Sequence, residues 1–175
     1  MTNENWVKDS TEDAQQIEKA ERLATGQITL AQYVGLGKQE LYVIAQQAYQ
    51  LLSSGRIEEA RDIYQGLVAA DPYDSVFHCH LGSTQLRLGK ADEAFEQFEL
   101  ALQYNIANVD AFAGRGEIYL QRGQIKEAVD DLSKVIELDP QASRKSTVRA
   151  RAALVALKDA LEKQKTGGAE ISSNN

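Results

Sequence analysis

Small and bulky apolar residues recur along the middle of the chain with a period of 34 positions. Three landmarks mark each copy: a glycine (Gly55, Gly89 and Gly123), an alanine (Ala60, Ala94 and Ala128) and a bulky residue (Tyr64, Phe98 and Leu132). Between the landmarks, apolar side chains lie three or four positions apart, which places them on one face of an α-helix. The pattern predicts consecutive helix pairs in which each pair turns at its glycine.

The three copies cover residues 41–74, 75–108 and 109–142. Glycine is favoured at the turn because the residue after a helix C-terminus often needs a positive φ. Asp71-Pro72 and Asp139-Pro140 end copies one and three, since proline lacks the amide hydrogen that would continue a helix. Copy two has Asn105-Ile106 at this place. The landmark alanines are predicted contact points between the two helices of a pair, where a larger residue would overpack.

Residues 1–40 carry a weaker helical pattern. A helix is predicted from an N-cap at Ser10 or Thr11 to about Gly26, with residues 1–9 frayed. Its apolar stripe is sparse and consists of Ile17, Ala20, Leu23 and Ala24. Such a helix needs a partner, which is either the repeat array or a second copy of the chain. Thr29 and Gly35 predict the start and stop of one further short helix.

Beyond the repeats, helical spacing continues from residue 143 to 165 through Val148, Ala152, Val155 and Leu161, but the turn landmarks do not. A last helix with one polar face is what the open end of a stacked array needs. This helix is rich in basic residues, namely Arg144, Lys145, Arg149, Arg151, Lys158, Lys163 and Lys165. They form either a solvated capping face or a surface for a partner. Residues 166–175 are predicted to be disordered.

Composition agrees with a helical globular protein. Of the 175 residues, 43% are hydrophobic and 26% are charged, and two prolines leave helix free to run almost everywhere. The net charge of −7 argues against a nucleic-acid partner, which would require a basic surface. We expect no membrane association, because no apolar run reaches membrane-spanning length and the N-terminus lacks the apolar core of a signal peptide. A single cysteine, Cys79, cannot form an internal disulfide, so we expect a cytoplasmic protein.

One cluster has the composition of a metal site, His78-Cys79-His80. Helix neighbours one or two positions apart do not share a face, so these side chains cannot converge on an ion. A nucleophilic role for Cys79 lacks a third group that would orient a histidine. The glycines are explained as helix stops or packing sites, so no phosphate-binding loop is expected. We therefore predict no enzyme activity, no metal and no cofactor.

The remaining candidate is a binding groove. In stacked helix pairs, the first helices line the concave side, and inward positions recur in each copy. In this chain they are Tyr42, Ala45, Tyr49 and Leu52, then Val76, Cys79, Ser83 and Leu86, then Asp110, Ala113, Glu117 and Leu120. The groove then has an apolar floor, aromatic walls at one end and two acids at the other. This lining suits an extended peptide with hydrophobic anchors, unless the N-terminal segment covers Tyr42, Tyr49 and Leu52.

Residues 41–142 resemble the tetratricopeptide repeat family, whose period and landmarks appear here three times. The resemblance implies an all-α fold: three helix pairs in a right-handed superhelix, with an N-terminal helix and a C-terminal capping helix. Family members that bind the acidic C-termini of heat-shock proteins carry a clamp of lysine, asparagine and arginine. The corresponding positions here are Ala45, Tyr49, His80, Asp110 and Gly114. Because every clamp residue is missing, heat-shock clients are disfavoured.

A narrower resemblance lies in residues 26–31, 41–45 and 55–60 and in the run Asp71-Pro72-Tyr73-Asp74-Ser75-Val76-Phe77. This order is similar to the class II chaperones of bacterial type III secretion, which hold hydrophobic translocator proteins in the cytoplasm. The resemblance implies a groove for an extended translocator segment with proline and leucine anchors, and a homodimer through the N-terminal helix. Carried over by position, the groove includes Ala45, Tyr49, Leu52, Val76, Cys79 and Leu86. The alternative is a general protein–protein scaffold without a secretion role, working through its convex face or basic last helix.

Overall fold

The structure, a computed structural model, describes residues 4–172, and side chains are described for residues 13–163. Nine helices and no strand occur within this part of the chain. They are α1 (Glu4–Ala24), α2 (Leu30–Val34), α3 (Lys38–Ser53), α4 (Ile57–Ala70), α5 (Ser75–Arg87), α6 (Ala91–Tyr104), α7 (Val109–Gln121), α8 (Ile125–Leu138) and α9 (Lys145–Ser172). None of these described helices combines the length and the apolar character needed to cross a bilayer. The predicted all-α architecture is confirmed.

The three predicted helix pairs are α3/α4, α5/α6 and α7/α8. Their turn glycines, Gly55, Gly89 and Gly123, have φ values of 85°, 77° and 71°, so the left-handed backbone predicted from the repeat pattern is confirmed. Helix α3 begins at Lys38, three residues before the predicted start of the first copy. Consecutive pairs stack on one another, and α9 packs against both α7 and α8.

The N-terminal helices differ from the prediction in one respect. Helix α1 begins at Glu4, not at Ser10 or Thr11. No glycine or proline precedes Gly26, and extending a helix costs far less than nucleating one. The short α2 is bounded as predicted: Thr29 and Gln32 form a reciprocal capping box, and Gly35 ends the helix with a φ of 82°.

The described residues bury two hydrophobic clusters, one built mainly from α2 to α5 and the other from α5 to α9. The landmark residues Ala60, Ala94 and Ala128 are fully buried, as their role as helix contact points predicts. Tyr64 and Phe98, the large landmarks, are buried as well. Each closes the space between its own helix pair and the next pair along the chain.

Phe98 occupies a space that two glycines leave open. A Cβ atom built on Gly82 of α5 would lie 3.0 Å from the Phe98 ring, and one built on Gly114 of α7 would lie 2.3 Å from it. The second distance is far below any real contact between carbon atoms. Helices α6 and α7 can therefore approach each other this closely only because position 114 carries no side chain.

The polar residues that cap α5 and α7 also link each helix pair to the pair before it. Asp74, the N-cap of α5, accepts a hydrogen bond from the Val76 amide at 2.9 Å and one from the Tyr42 hydroxyl of α3 at 3.0 Å. Its carboxylate also forms an ion pair with Lys38 at 3.2 Å. Asn108, the N-cap of α7, donates through its amide to the Ser75 hydroxyl at 2.8 Å. The start of each first helix is thus fixed to the first helix before it.

Helix α9 is anchored through Asp139. This carboxylate accepts hydrogen bonds from the Ser143 and Arg144 amides and from the Thr147 hydroxyl, at 3.1, 3.0 and 2.6 Å. The hydroxyl of Thr147 and these amides favour the charged carboxylate and hold the pKa of Asp139 well below its usual range. The helix then continues to Ser172, past residue 166, where the disordered tail is predicted to begin. A long preceding helix propagates readily into the residues that follow it. Residues 173–175 lie outside the described residues.

We expect Gly114→Ala to lower the free energy of unfolding by about 1–3 kcal/mol, because the added methyl group overpacks against Phe98. The matched control is Gly66→Ala in α4, where the new Cβ meets nothing within 4 Å. There the better helix propensity of alanine stabilises by up to about 1 kcal/mol. Urea unfolding followed by circular dichroism measures both variants. Equal effects would show that the Phe98 contact does not limit the spacing of the pairs.

Candidate functional site

The first helices of pairs one and two enclose a cleft of about 250 Å³ on the side of the array where the groove is predicted. It is lined by Tyr42, Ala45, Gln46, Tyr49, Val76 and His80, and we call it the aromatic cleft. The four residues from α3 lie at positions i, i+3, i+4 and i+7 and so share one helix face. The cleft brings together four predicted groove residues, Tyr42, Ala45, Tyr49 and Val76, and adds Gln46 and His80.

Two tyrosines form the walls of the aromatic cleft. Tyr42 is 38% exposed and Tyr49 is 47% exposed, so both rings present apolar surface to a ligand. The Tyr42 ring packs on Phe77 at a centroid distance of 5.4 Å, and its hydroxyl donates to Asp74. Burial, together with the hydrogen bond to Asp74 and its negative charge, raises the pKa of Tyr42 to about 12. The phenol therefore stays neutral and its ring stays oriented.

His80 forms part of the floor. Its ring stacks on Tyr64 with a centroid distance of 5.1 Å and an interplanar angle of 18°, and Tyr49 meets it edge-on at 6.0 Å. Burial lowers the pKa of His80, because the charged imidazolium loses hydration, and the negative charge of Asp110 offsets part of this shift. Helical spacing did not include His80 among the groove residues, because its contact with Tyr64 joins residues of different helix pairs. The comparison with the family's clamp did name its position.

The neighbouring His78 has a different, structural environment. It is buried, and its two ring nitrogens lie 2.8 Å from the Gln97 side-chain oxygen and 2.9 Å from the Pro72 carbonyl oxygen. His78 and His80 thus face opposite surroundings, as their helical spacing predicts. Within the described residues, no three histidine, cysteine or carboxylate side chains are grouped so that they could hold a metal ion.

A second, smaller cavity of about 140 Å³ lies between pair three and α9. We call it the terminal cavity; it is lined by Ala113, Glu117, Leu120, Leu132, Ser146, Arg149, Ala150 and Ala153. Three of these, Ala113, Glu117 and Leu120, are predicted groove residues. The contribution of α9 was missed because groove positions were taken only from the first helix of each pair.

The predicted acidic end of the groove is partly neutralised. Asp110 accepts hydrogen bonds from the Arg144 guanidinium at 2.6 Å and from the Ser146 hydroxyl at 2.5 Å. Arg151 of α9 donates to the Pro140 carbonyl oxygen in the turn before that helix. Arg144 and Ser146 therefore hold the start of α9 against α7, and the charge of Asp110 is paired with a guanidinium.

The remaining predicted groove residues do not line either cavity. Leu52 and Cys79 are buried, and burial raises the pKa of the Cys79 thiol well above its usual range. Ser83 is half-buried and donates to the Cys79 carbonyl oxygen of its own helix, and Leu86 packs against the hydrophobic core. The periodic pattern placed these residues correctly on first helices but could not show that neighbouring side chains cover them.

Two family models match the chain. The tetratricopeptide repeat model matches residues 109–141, which contain pair three. A model described as the bacterial transcriptional activator domain matches residues 11–106, which extend from within α1 to the end of pair two. Together the two matches cover the three stacked helix pairs.

Among curated proteins, low calcium response locus protein H of Yersinia pestis is 30% identical over 122 residues, which cover 69% of this chain and 71% of that protein. Human RNA polymerase II-associated protein 3 is 28% identical over 107 residues, or 61% of this chain. The chain spans 16% of the length of that larger protein. The first relative thus matches over most of its own length, and the second only through a module.

The similar solved structures likewise include a bacterial secretion chaperone and a domain of RNA polymerase II-associated protein 3 (RPAP3). The type III secretion translocator chaperone SycD of Yersinia enterocolitica is 26% identical, with a TM-score of 0.66, over 74% of this chain and 98% of SycD. The first tetratricopeptide domain of Spaghetti (RPAP3), bound to an HSP90 peptide, is 27% identical, with a TM-score of 0.62, over 72% of this chain and 96% of that domain. The chain therefore belongs to the tetratricopeptide repeat family, within the group that contains low calcium response locus protein H and SycD.

Proposed function

We propose that the protein is a cytoplasmic chaperone that binds extended hydrophobic segments of type III secretion translocator proteins in the groove of its repeat array. The aromatic cleft carries this proposal. Tyr42 and Tyr49 expose apolar rings above a floor formed by Ala45 and Val76. Aromatic walls around a small apolar floor are typical of sites that anchor a peptide side chain.

The relatives support this reading. SycD, a translocator chaperone, has the same fold and matches over nearly its whole length. SycD has also been solved with a peptide of the translocator YopD, in a structure that is 24% identical to this chain and so shows the shared fold. Our inference for this chain rests on the cleft residues, whose size and polarity suit an aliphatic anchor.

Heat-shock peptides are disfavoured as ligands. Spaghetti (RPAP3) binds the HSP90 peptide SRMEEVD, whose acidic end requires cationic partners. At the positions of the family's clamp, this chain has no lysine, arginine or asparagine, and the one charged residue there, Asp110, is a carboxylate that is already paired with Arg144. An acidic peptide would meet two tyrosines and a largely uncharged histidine, so electrostatic complementarity is missing.

The scaffold alternative is also less well supported. It assigns binding to the convex face or the basic last helix, but the guanidinium groups of Arg144 and Arg151, at and near the start of that helix, already bind Asp110 and Pro140. The cleft instead exposes the apolar rings of Tyr42 and Tyr49. We propose that the protein acts by binding alone, without enzyme activity, metal or cofactor, and with neither nucleic acid nor membrane as a partner.

We further propose a homodimer through α1. This helix packs chiefly against α2, and Ile17 of its apolar stripe is 61% exposed. A helix with so little burial against its own chain gains stability from a second copy. SycD has been solved as an alternative dimer, which shows that a related array can pair.

We expect the protein to co-purify with a translocator such as YopD when the two are expressed together. Tyr49→Ala should weaken binding of a labelled translocator peptide by about 2 kcal/mol or more, since a central aromatic anchor is lost. The control is Glu93→Ala, an exposed residue of α6 outside the cleft, with an expected change within about 0.5 kcal/mol. Fluorescence anisotropy measures each Kd, with the peptide SRMEEVD as a non-binding reference.

Absence of any complex would contradict the chaperone proposal. If charge reversal at Arg149 and Arg151 abolished partner binding while Tyr49→Ala left it intact, the scaffold alternative would be favoured.

The dimer has its own test. We expect Ile17→Asp to shift the protein toward monomer, because a carboxylate in the apolar stripe of α1 must be desolvated on pairing. Val148→Asp is the matched control, since Val148 is exposed to a similar extent, 56%, but lies on α9. Light scattering at tens of micromolar measures the mass. A monomeric mass for the unchanged protein at this concentration would exclude the dimer.

A further inference from the structure

The aromatic cleft contains two side chains whose polar groups have no hydrogen-bond partner among the described side chains and backbone, Gln46 and His80. Both face a cavity whose other lining residues are tyrosine, alanine and valine. His78, two residues away, contrasts with His80 because a polar atom lies within hydrogen-bonding distance of each of its ring nitrogens. A cleft lined otherwise by tyrosine, alanine and valine thus contains two side chains that can form hydrogen bonds with a ligand.

We infer that His80, assisted by Gln46, hydrogen-bonds to the main chain of the bound segment and thereby selects an extended conformation in the aromatic cleft. This inference rests on the proposed function and adds to it a side chain that binds the main chain of the ligand. His80 holds its ring fixed between Tyr64 below and Tyr49 at its edge, at centroid distances of 5.1 and 6.0 Å. A ring fixed on two sides presents its nitrogens in a constant direction.

The chemistry of the ligand supports this assignment. An extended segment carries unpaired N–H and C=O groups along its whole length, and covering them in an apolar cleft is costly unless each finds a partner. A neutral imidazole offers one donor and one acceptor, and a primary amide offers both kinds of group. His80 and Gln46 can therefore satisfy main-chain groups of any sequence, while the tyrosine walls select apolar side chains.

A pH dependence follows from the position of His80. The groups that face it are Tyr49 from α3, Tyr64 from α4 and Asp110 from α7, whose charge is paired with Arg144, the residue just before α9. Burial lowers the pKa of His80 in the free protein, and a ligand that covers the ring lowers it further. The neutral form is therefore the binding form. Affinity is fully present above the pKa of the free protein and falls as the pH drops through it.

Two substitutions separate hydrogen bonding from packing. His80→Phe keeps an aromatic ring on Tyr64 but cannot hydrogen-bond, and His80→Asn keeps a donor and an acceptor but does not titrate. With labelled YopD peptide at about pH 7.5, we expect His80→Phe to weaken binding about fivefold, the value of one neutral hydrogen bond, and His80→Asn to bind within about twofold of the unchanged protein. Thermal unfolding by circular dichroism shows whether both variants fold.

The same titration is repeated downward from about pH 7.5 until the ring signals show that His80 is protonated, which burial places below the ordinary histidine pKa of about 6.5. The unchanged protein should lose affinity as His80 protonates, which its ring signals in NMR spectra report directly, while both variants keep a constant Kd. Equal binding by His80→Phe and the unchanged protein would overturn the inference but leave the chaperone proposal standing. If the unchanged protein binds no translocator peptide at any pH, the proposed function itself fails.

Discussion

One contact between neighbouring pairs controls both the stacking and the groove. It joins the bulky landmark on a second helix to the sixth residue of the next copy. Between pairs two and three this contact is Phe98 against Gly114, which leaves no room for a side chain. Between pairs one and two, the equivalent residues are Tyr64 and His80, whose rings stack. The same contact therefore produces tight packing in one place and a side chain that reaches the cleft in the other.

Sequence periodicity was sufficient for the scaffold, because the residues that define it are set by local rules. A turn glycine needs a left-handed backbone, and a landmark alanine needs a close helix contact, so both appear in every copy. The groove was predicted only in part. Tyr42 and Tyr49 follow from helical spacing, but the place of His80 in the cleft floor and the pairing of Asp110 with Arg144 depend on residues 16 and 34 positions away. No pattern within one helix contains that information.

The two ends of the concave side consequently differ in character. At the first pairs the cleft is open, aromatic and uncharged, since the pKa shifts of Tyr42 and His80 both favour the neutral form. At the third pair, α9 contributes Arg149 beside Glu117 and reduces the space to about 140 Å³. A hydrophobic segment would gain most at the first end, because desolvating charged groups at the other opposes binding. The two ends of the groove therefore differ in how favourably they bind a hydrophobic segment, although the repeats are similar in sequence.

Asp74 makes the open end rigid. Its carboxylate accepts hydrogen bonds from the Tyr42 hydroxyl of one wall of the cleft and from the Val76 amide of the floor, while Lys38 neutralises its charge. Because Asp74 is itself buried, these bonds are shielded from competing water. The Tyr42 wall and the Val76 floor are thus fixed relative to each other before any ligand arrives, by the same residue that caps α5. A preformed cleft loses little conformational entropy on binding, so a short apolar anchor can be held with useful affinity.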